Sequence, residues 1–306
     1  MVCGPTASGK SALALALAER LGGTVINADA MQCYRELRVL TARPGTEDEA
    51  RARHALYGFL PAAVAGSVAS WRAAALEAMA QARLPILCGG TGMYLRALTQ
   101  GIAALPDVAP AARAEARALL AERGAPALHA LLHPEDAAML RPSDSQRIAR
   151  AFEVWRSSGT PLAQWQKQAP ALPPAPHAFR VLRLDPPRDA LRQAIAARWH
   201  AMLEGGAVEE VRALLAQRLD PALPAMRAHG MPELAALLRG EVTEAEASRR
   251  AIAATVAYTR RQGTWFRHQT LVDPAGVHII YARIASLSQF SESERAEIFA
   301  FLHEDG

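Results

Sequence analysis

The chain has 306 residues, of which 51% are hydrophobic and 21% are charged, and its formal net charge is +4. This composition is typical of soluble globular proteins, and the length allows one large or two modest domains, each with its own core. No apolar run of about eighteen residues is present, and no charged stretch followed by an apolar one stands near the start, so neither a membrane span nor a secretory signal is predicted.

The positive charge is carried almost entirely by arginine, whose planar side chain suits phosphates and base edges. A net charge this small does not by itself indicate nucleic-acid binding. Three cysteines, Cys3, Cys33 and Cys88, lie far apart and form no Cys-x-x-Cys pair. This spacing argues against a zinc site and a disulfide framework and fits a reducing cytoplasm. Cys3 and Cys88 lie in apolar strand-like runs and are predicted to be core residues.

Strand and helix patterns alternate over the N-terminal third of the chain. Short apolar runs predict buried strands, and the alanine- and leucine-rich segments between them predict helices. Such alternation implies a parallel sheet that is covered on both faces. The predicted strands are residues 1–3, 24–27, 55–60 and 84–88, and the predicted helices are residues 11–21 and 69–83.

The pattern changes after the fourth predicted strand. Residues 108–168 are rich in alanine and arginine and predict helices without a strand. The proline-rich segment 169–176 predicts a stiff linker. The remaining C-terminal residues show no pattern that predicts a particular structure. Between the linker and that end, a strand is predicted at 179–184 and helices at 188–203, 208–217, 232–238 and 243–263.

The strongest functional motif follows the first predicted strand. The glycines of a P-loop, G-x-x-x-x-G-K-S/T, let backbone N–H groups point at a phosphate, and the next helix adds its positive N-terminal end. Lys10 supplies a mobile positive charge, and the Ser11 hydroxyl can hold a phosphate-bound Mg²⁺. The loop predicts a polyphosphate ligand without specifying ATP. The pattern is matched by Gly4, Pro5, Thr6, Ala7, Ser8, Gly9, Lys10 and Ser11.

These features predict an α/β fold with a P-loop NTPase-like parallel sheet core and a helical insertion domain. The core is expected to begin with residues 1–106, the insertion to span 107–176, and the core to resume at 177–306 with one strand and C-terminal helices. Strands commonly have about five residues, but only Met1, Val2 and Cys3 precede the P-loop. The first strand is therefore short, or the true start lies upstream.

Two polar residues fall where such a core binds ligands, and a third candidate lies on a helix, although each also has an ordinary structural explanation. Asp29 follows the second strand and Thr91 the fourth, at the sheet edge where ligands bind. An aspartate there is equally a turn residue, and a threonine before a helix is equally an N-cap. Arg198 lies on an amphipathic helix and by itself indicates a solvated side chain.

Gln146, Arg147 and Arg150 form a polar group on one predicted helix. Gln146 and Arg150 are four residues apart and therefore project from nearly the same face. Glutamine and arginine make bidentate contacts with base edges and phosphates. A solvated helix face explains the same pattern.

Further motifs occur in a fixed order along the chain. They are INADAMQCYR at 26–35, TARP at 41–44, GGTGMYL at 89–95, PSDSQRIAR at 142–150 and RRQGTWFR at 260–267. Together with the P-loop, they resemble the tRNA dimethylallyltransferase (tRNA isopentenyltransferase) family over nearly the whole chain.

The resemblance implies an enzyme that transfers a dimethylallyl group from dimethylallyl diphosphate to N6 of the adenine 3′ of the anticodon. This is position 37, in tRNAs that read codons beginning with U, and diphosphate is released. Mg²⁺ is the implied cofactor, and the partners are dimethylallyl diphosphate and the tRNA anticodon stem-loop. A cytoplasmic monomer without membrane association is expected.

The resemblance also implies roles for individual residues. Asp29 is implied as the general base for the adenine amine, with Thr91 beside it at the reaction centre. Arg198 and the P-loop are implied to bind the diphosphate, and Ser11 to bind the metal. The implied tRNA contacts are Asp29, Ala30, Met31, Gln32, Thr91, Arg113, Gln146, Arg147, Ile148, Ala149, Arg150, Arg227, Ala228, His229 and Gly230.

The chain departs from the family pattern at three places. Ala30 stands where a serine is usual, so one hydroxyl contact to the base is lost. Residues 227–232 stand where Gly-Tyr and a basic residue are usual, so no contact is predicted there beyond Gly230. Val256 replaces a usual arginine. None of these changes removes a catalytic group.

Three other functions fit parts of the sequence. A small-molecule kinase would use the P-loop for ATP but would not need the helical insertion. A non-catalytic tRNA-binding protein would leave Asp29 replaceable, and a prenyltransferase of free nucleotides would act on AMP. Prenyl transfer to tRNA accounts for all the motifs and is the predicted function.

Overall fold

The computed structural model describes residues 1–103, 105–168 and 171–303. The chain divides into two compact units. Met1–Gln100 and Ala175–Gly306 form the sheet unit, and Gly101–Pro174 form the helical unit.

The elements are given in chain order for the described residues. The strands are β1 (Val2–Cys3), β2 (Thr24–Asn27), β3 (Arg53–Ala55), β4 (Pro85–Gly89), β5 (Ile102–Ala103), β6 (Ala171–Leu172), β7 (Val181–Leu184) and β8 (Val277–Ile280). The α-helices are α1 (Lys10–Leu21), α2 (Thr46–Arg51), α3 (Val68–Ala80), α4 (Gly92–Thr99), α5 (Pro110–Ala130), α6 (Pro134–Met139), α7 (Ser145–Ser158), α8 (Leu162–Gln168), α9 (Arg188–Glu204), α10 (Ala207–Ala216), α11 (Met231–Leu238), α12 (Glu244–His268) and α13 (Glu292–His303).

Six strands of the sheet unit form a parallel sheet in the order β3-β2-β4-β1-β7-β8. Successive residues of a strand point to opposite faces, so Val25 packs with Leu13 of α1 while Ile26 packs with Trp71 of α3. The predicted parallel sheet covered on both faces is confirmed. Because β2, β4 and β1 are neighbours, the loops at their carboxyl ends lie side by side, where such sheets bind ligands.

The helical unit consists of α5–α8 and a short antiparallel pair, β5 with β6. Its core contains Leu128 of α5 and Ile148 and Phe152 of α7. Helix α5 is kinked at Gly124, whose φ of 77° is not helical. Pro126 follows the kink and has no N–H to offer to the preceding turn. The predicted absence of strands between 108 and 168 holds for the described residues.

Three sequence expectations differ from the structure. The strand predicted at 55–60 is wrong, because Leu56 and Gly58 have positive φ angles of 62° and 57° that turn the chain. The third strand is instead β3, immediately before this turn. In the predicted linker, Ala169 and Pro170 lie outside the described residues, but β6 is paired and Ala175 is buried in the core of the sheet unit. The C-terminal end, where no structure was predicted, adds β8 beside β7.

All three cysteines are buried and unpaired. Burial raises the pKa of Cys3 and of Cys33 to about 12 and that of Cys88 to about 11. The prediction that Cys3 and Cys88 are core residues is confirmed. Within the described ranges, no helix combines the length and apolar character that crossing a bilayer would require.

Candidate active site

The P-loop connects β1 to α1 in a strongly curved conformation. Ala7 has a φ of 65° and Gly9 a φ of 90°, both in the left-handed region. A side chain at Gly9 would also collide with the backbone carbonyl of Ile284, so only glycine fits there. The loop ends where α1 begins at Lys10, which leaves the unpaired N–H groups of the first helical turn beside the loop.

Lys10 and Ser11 occupy the first turn of α1. Lys10 is 8% exposed, and burial lowers the pKa of its ammonium group, while the Asp29 carboxylate opposes that change. The two charges therefore lie close enough to interact. Ser11 is exposed. The P-loop thus places one buried cation, Lys10, and the exposed residue Ser11 beside its backbone N–H groups.

Asp29 follows β2 in a tight hydrogen-bonded turn. The side chain of Asn27 accepts the Asp29 N–H at 2.8 Å and donates to the Asp29 carbonyl at 3.0 Å. Oδ1 of Asp29 accepts the N–H of Met31 at 3.0 Å. The turn role predicted as an alternative is therefore real, but it uses one oxygen of the carboxylate.

Thr91 lies between β4 and α4, directly beside the Asp29 turn. It occupies the N-cap position of α4, but its side chain makes no capping hydrogen bond. Its hydroxyl instead accepts the N–H of Ala30 at 3.0 Å, and its own N–H donates to the carbonyl of Ala28 at 3.2 Å. The capping explanation is therefore wrong, because the hydroxyl joins the loops after β2 and β4.

Arg198 of α9 is the second cation that interacts with Asp29. Arg198 is half-buried, and its Nη2 donates to the Thr41 carbonyl at 3.0 Å. Burial lowers the pKa of its guanidinium, while the negative charge of Asp29 acts to raise that pKa. The solvated position predicted as an alternative is wrong. The loop that contains Thr41 is held by Glu210 of α10, whose carboxylate accepts three consecutive backbone N–H groups at 2.7–2.9 Å: those of Arg38, Val39 and Leu40.

Helix α12 forms a wall of the site. Trp265 lies so close to Gly92 that a side chain at Gly92 would meet its ring. The ring centroids of Tyr258 and His229 are 4.5 Å apart. Burial raises the pKa of Tyr258 to about 12 and lowers the pKa of His229. Both side chains lie within electrostatic range of Asp29.

The segment after β8 contacts the P-loop, which the sequence analysis did not predict. The N–H of Ile284 donates to the Ser8 carbonyl at 2.9 Å, and Nε of Arg283 donates to the Ala7 carbonyl at 3.1 Å. These bonds fix the outer side of the loop. The sequence signal that could have predicted this strand is the apolar run of β8, since a short apolar run after a long helix is typical of one more buried strand.

Comparisons with known proteins agree with this geometry. The sequence model of the IPP transferase family matches residues 32–269, and that of isopentenyl transferases matches residues 1–57. The chain is 58% identical to the tRNA dimethylallyltransferase of Granulibacter bethesdensis, over 98% of this chain and 96% of that protein. The chain belongs to the tRNA dimethylallyltransferase family. The protein of the same name from Acidiphilium cryptum is 56% identical, over 99% of this chain and 94% of its own length.

Solved structures related to this family share the fold. The full-length tRNA isopentenylpyrophosphate transferase of Bacillus halodurans superposes with a TM-score of 0.68 at 28% identity, covering 99% of this chain and 96% of its own. A eukaryotic dimethylallyltransferase gives a TM-score of 0.75 at 21% identity, covering 96% of this chain and 76% of its own. At that identity the likeness shows the fold alone. The predicted α/β fold with a P-loop core is confirmed.

The tRNA contacts predicted in the sheet unit lie in two places. Ala30, Met31 and Gln32 are half-buried in the turn after Asp29, and Nε2 of Gln32 donates to the Thr41 carbonyl at 3.0 Å. Residues 227–230 precede α11. Of these, Arg227 is exposed and His229 half-buried, whereas Ala228 and Gly230 are buried.

The contacts predicted in the helical unit differ in exposure. Arg113, Gln146 and Arg147 are exposed and Arg150 is half-buried. Ile148 is completely buried in the core of this unit. The helix turn that places its neighbours at the surface directs Ile148 inward, so the expectation that its side chain contacts tRNA is wrong. Its half-buried neighbour Ala149 packs against the same core.

The residues around the P-loop fit a metal that is held mainly by its substrate. In the described part of the chain, no group of three His, Cys, Asp or Glu side chains is placed to hold an ion by itself. Ser11, an exposed residue, follows the buried Lys10 and has one hydroxyl that could serve as a ligand. Mg²⁺ usually keeps several waters and binds through phosphate oxygens and one or two protein ligands, which is compatible with this donor set.

Proposed function

We propose that this chain transfers the dimethylallyl group of dimethylallyl diphosphate to N6 of adenine 37 in tRNAs that read codons beginning with U. Family membership supports the reaction class. The observation that carries the proposal is that one carboxylate, Asp29, lies within electrostatic range of two buried or half-buried cations, Lys10 and Arg198. The same site therefore contains a base that can take a proton from the acceptor and cations that can stabilise the leaving diphosphate.

The residues account for both halves of the displacement. The adenine N6 forms a bond to C1 of the dimethylallyl group while the bond from C1 to the diphosphate oxygen breaks. Asp29 takes the proton that N6 loses. The negative charge that develops on the diphosphate is stabilised by Lys10, Arg198 and the P-loop N–H groups, with the hydroxyls of Thr6 and Thr91 completing the surroundings.

The acceptor must leave the base stack before it can react. An exocyclic amine in a stacked base is inaccessible, so enzymes that act on a base extrude it into a pocket. Tyr258 and His229, whose ring centroids lie 4.5 Å apart with the ring planes tilted by 46°, offer aromatic faces near Asp29. We propose that this part of the sheet unit receives the adenine, with the turn at Ala30, Met31 and Gln32 beside it.

Mg²⁺ is proposed as the cofactor. Ser11 would hold it beside the P-loop, and the metal supplies charge neutralisation of the diphosphate when it is bound. Dimethylallyl diphosphate and the tRNA anticodon stem-loop are the proposed partners of a monomeric protein. Because tRNA is the proposed acceptor, we place the reaction in the cytoplasm.

The helical unit, Gly101–Pro174 in the structure and 107–176 in the sequence prediction, is proposed to bind tRNA. Arg147 and Arg150 now pair with Asp144 and Glu153 at 3.5 Å and 3.7 Å. Ion pairs at the protein surface, of which the pair of Arg147 is exposed and that of Arg150 partly exposed, contribute little to stability. Phosphates can therefore replace the carboxylates as partners of the arginines at small cost.

Replacing Arg147 or Arg150 by alanine should weaken tRNA binding and flatten its salt dependence. Each lost phosphate contact removes about one unit from the slope of log K against log salt concentration. Filter binding of tRNA between low and physiological salt measures this slope. Arg212→Ala is the matched control, since Arg212 forms a similar exposed pair with Glu209 at 3.6 Å on α10. An unchanged slope in Arg147→Ala and Arg150→Ala would show that this helix face is merely solvated.

The proposed function is tested with a panel of acceptors. Purified protein with labelled dimethylallyl diphosphate and Mg²⁺ is given tRNA with adenine 37, the same tRNA with guanine 37, and AMP. We expect incorporation into the first acceptor only. Incorporation into AMP would indicate a free-nucleotide prenyltransferase. Absence of incorporation into every acceptor, together with ATP-dependent phosphorylation of a small molecule, would indicate a kinase.

A further inference from the structure

Gln262 of α12 connects two loops of the active site. Its Oε1 accepts the backbone N–H of Thr6 in the P-loop at 2.8 Å, and its Nε2 donates to the carbonyl of Gly90 at 2.9 Å. The side chain is 5% exposed. One amide therefore spans the distance between the P-loop and the loop that carries Thr91.

The hydrogen-bonding groups determine the orientation of this amide. Thr6 N–H can only donate and the Gly90 carbonyl can only accept, so the oxygen must face Thr6 and the nitrogen Gly90. The residues are separated by 256 and 172 positions in the sequence. The contact is thus buried, specific and directional.

The two loops have different tasks in the proposed reaction. The P-loop holds the diphosphate, whereas the loop after Gly90 carries Thr91, whose hydroxyl holds the turn of Asp29 through the Ala30 N–H at 3.0 Å. The separation of these loops sets the distance between C1 of the donor and N6 of the acceptor. A misplacement of about 1 Å between reacting groups costs on the order of a hundredfold in rate.

We infer that Gln262 is a positioning residue, which sets the spacing between the diphosphate loop and the acceptor loop without touching the reacting atoms. This inference rests on the proposed function. Loss of the amide should therefore slow the transfer step while both substrates still bind, because neither the P-loop lysine nor the tRNA contacts are removed.

The test compares Gln262→Met with wild type. Methionine has a similar length and volume but neither donates nor accepts these bonds, so Thr6 N–H and the Gly90 carbonyl lose their common partner. We expect the single-turnover rate at saturating tRNA and dimethylallyl diphosphate to fall by about a hundredfold. The Kd for tRNA and the KM for the donor should stay within about threefold of wild type. Gln193→Met, at an exposed position of α9, is the matched control and should transfer normally.

A second variant guards against misfolding. Gln262→Glu keeps the acceptor for the Thr6 N–H but places a second oxygen against the Gly90 carbonyl. We expect this variant to fold and to transfer at least about tenfold more slowly, since repulsion between two oxygens replaces a hydrogen bond. A merely structural glutamine would lower Tm in both variants and leave the single-turnover rate well below Tm unchanged. That result, or a loss confined to Kd or KM, would overturn the inference. Absence of transfer by the wild-type protein would instead overturn the proposed function.

Discussion

Asp29→Asn is expected to transfer the dimethylallyl group at least about a hundredfold more slowly than wild type while binding tRNA normally, since loss of a general base costs on the order of 10²–10⁴ in rate. Asparagine keeps an oxygen that can accept the Met31 N–H, which Oδ1 of Asp29 accepts at 3.0 Å. The turn is therefore preserved, and the proton acceptor alone is lost. Single-turnover transfer at saturating substrates, with tRNA binding measured in parallel, gives the comparison.

The controls for this variant separate three roles of Asp29. Asp189→Asn, whose side chain is 90% exposed, should be fully active. If Asp29 only closes the turn, the asparagine variant will transfer at a near-normal rate, and Asp29 is then not the base. If Asp29 holds Mg²⁺ through water, raising the Mg²⁺ concentration will restore part of the rate. We expect a slow variant whose rate Mg²⁺ does not restore.

Lys10→Ala is expected to abolish measurable transfer and to leave the Kd for tRNA within a few-fold of wild type. Lys10 is buried at the start of α1, beside the P-loop and within electrostatic range of Asp29. Removing one hydrogen-bond donor to a developing charge costs on the order of 10²–10³ in rate, and here the KM for dimethylallyl diphosphate should rise as well. Transfer is assayed with saturating donor and tRNA.

The second lysine of the chain provides the control for this change. Lys167 is exposed at the end of α8, and Lys167→Ala should transfer at the wild-type rate when tRNA is saturating. Normal turnover of Lys10→Ala at saturating donor would remove the P-loop from the reaction. Loss of tRNA binding together with transfer would mean that Lys10 contacts the RNA instead.

Local patterns predicted much of the fold. The glycines and Lys10 specified the P-loop, and the alternation of short apolar runs with helices specified the parallel sheet that the structure contains. The third strand was misplaced because the positive φ of Leu56 is imposed by the surrounding structure. Leucine itself gives no local signal for such a turn.

The arrangement of the site depended on contacts that sequence patterns do not encode. Asp29 and Thr91 were correctly placed at strand ends. The hydrogen bond from Ala30 N–H to the Thr91 hydroxyl forms because β2 and β4 are neighbours in the sheet, and this strand order was not predicted. Ile148 was included through its position in a motif, although the helix turns it into the core. Gln262 lay in a motif without a predicted role, because its partners are distant in sequence.

The most direct test of the central claim is mass analysis of tRNA nucleosides. Unmodified tRNA containing adenine 37 is incubated with the protein, dimethylallyl diphosphate and Mg²⁺, digested to nucleosides and compared with a sample that contains Asp29→Asn. We expect an adenosine that has gained one dimethylallyl group in place of one hydrogen, and we expect it to be nearly absent with the variant. Unchanged adenosine in the wild-type sample would contradict the central claim.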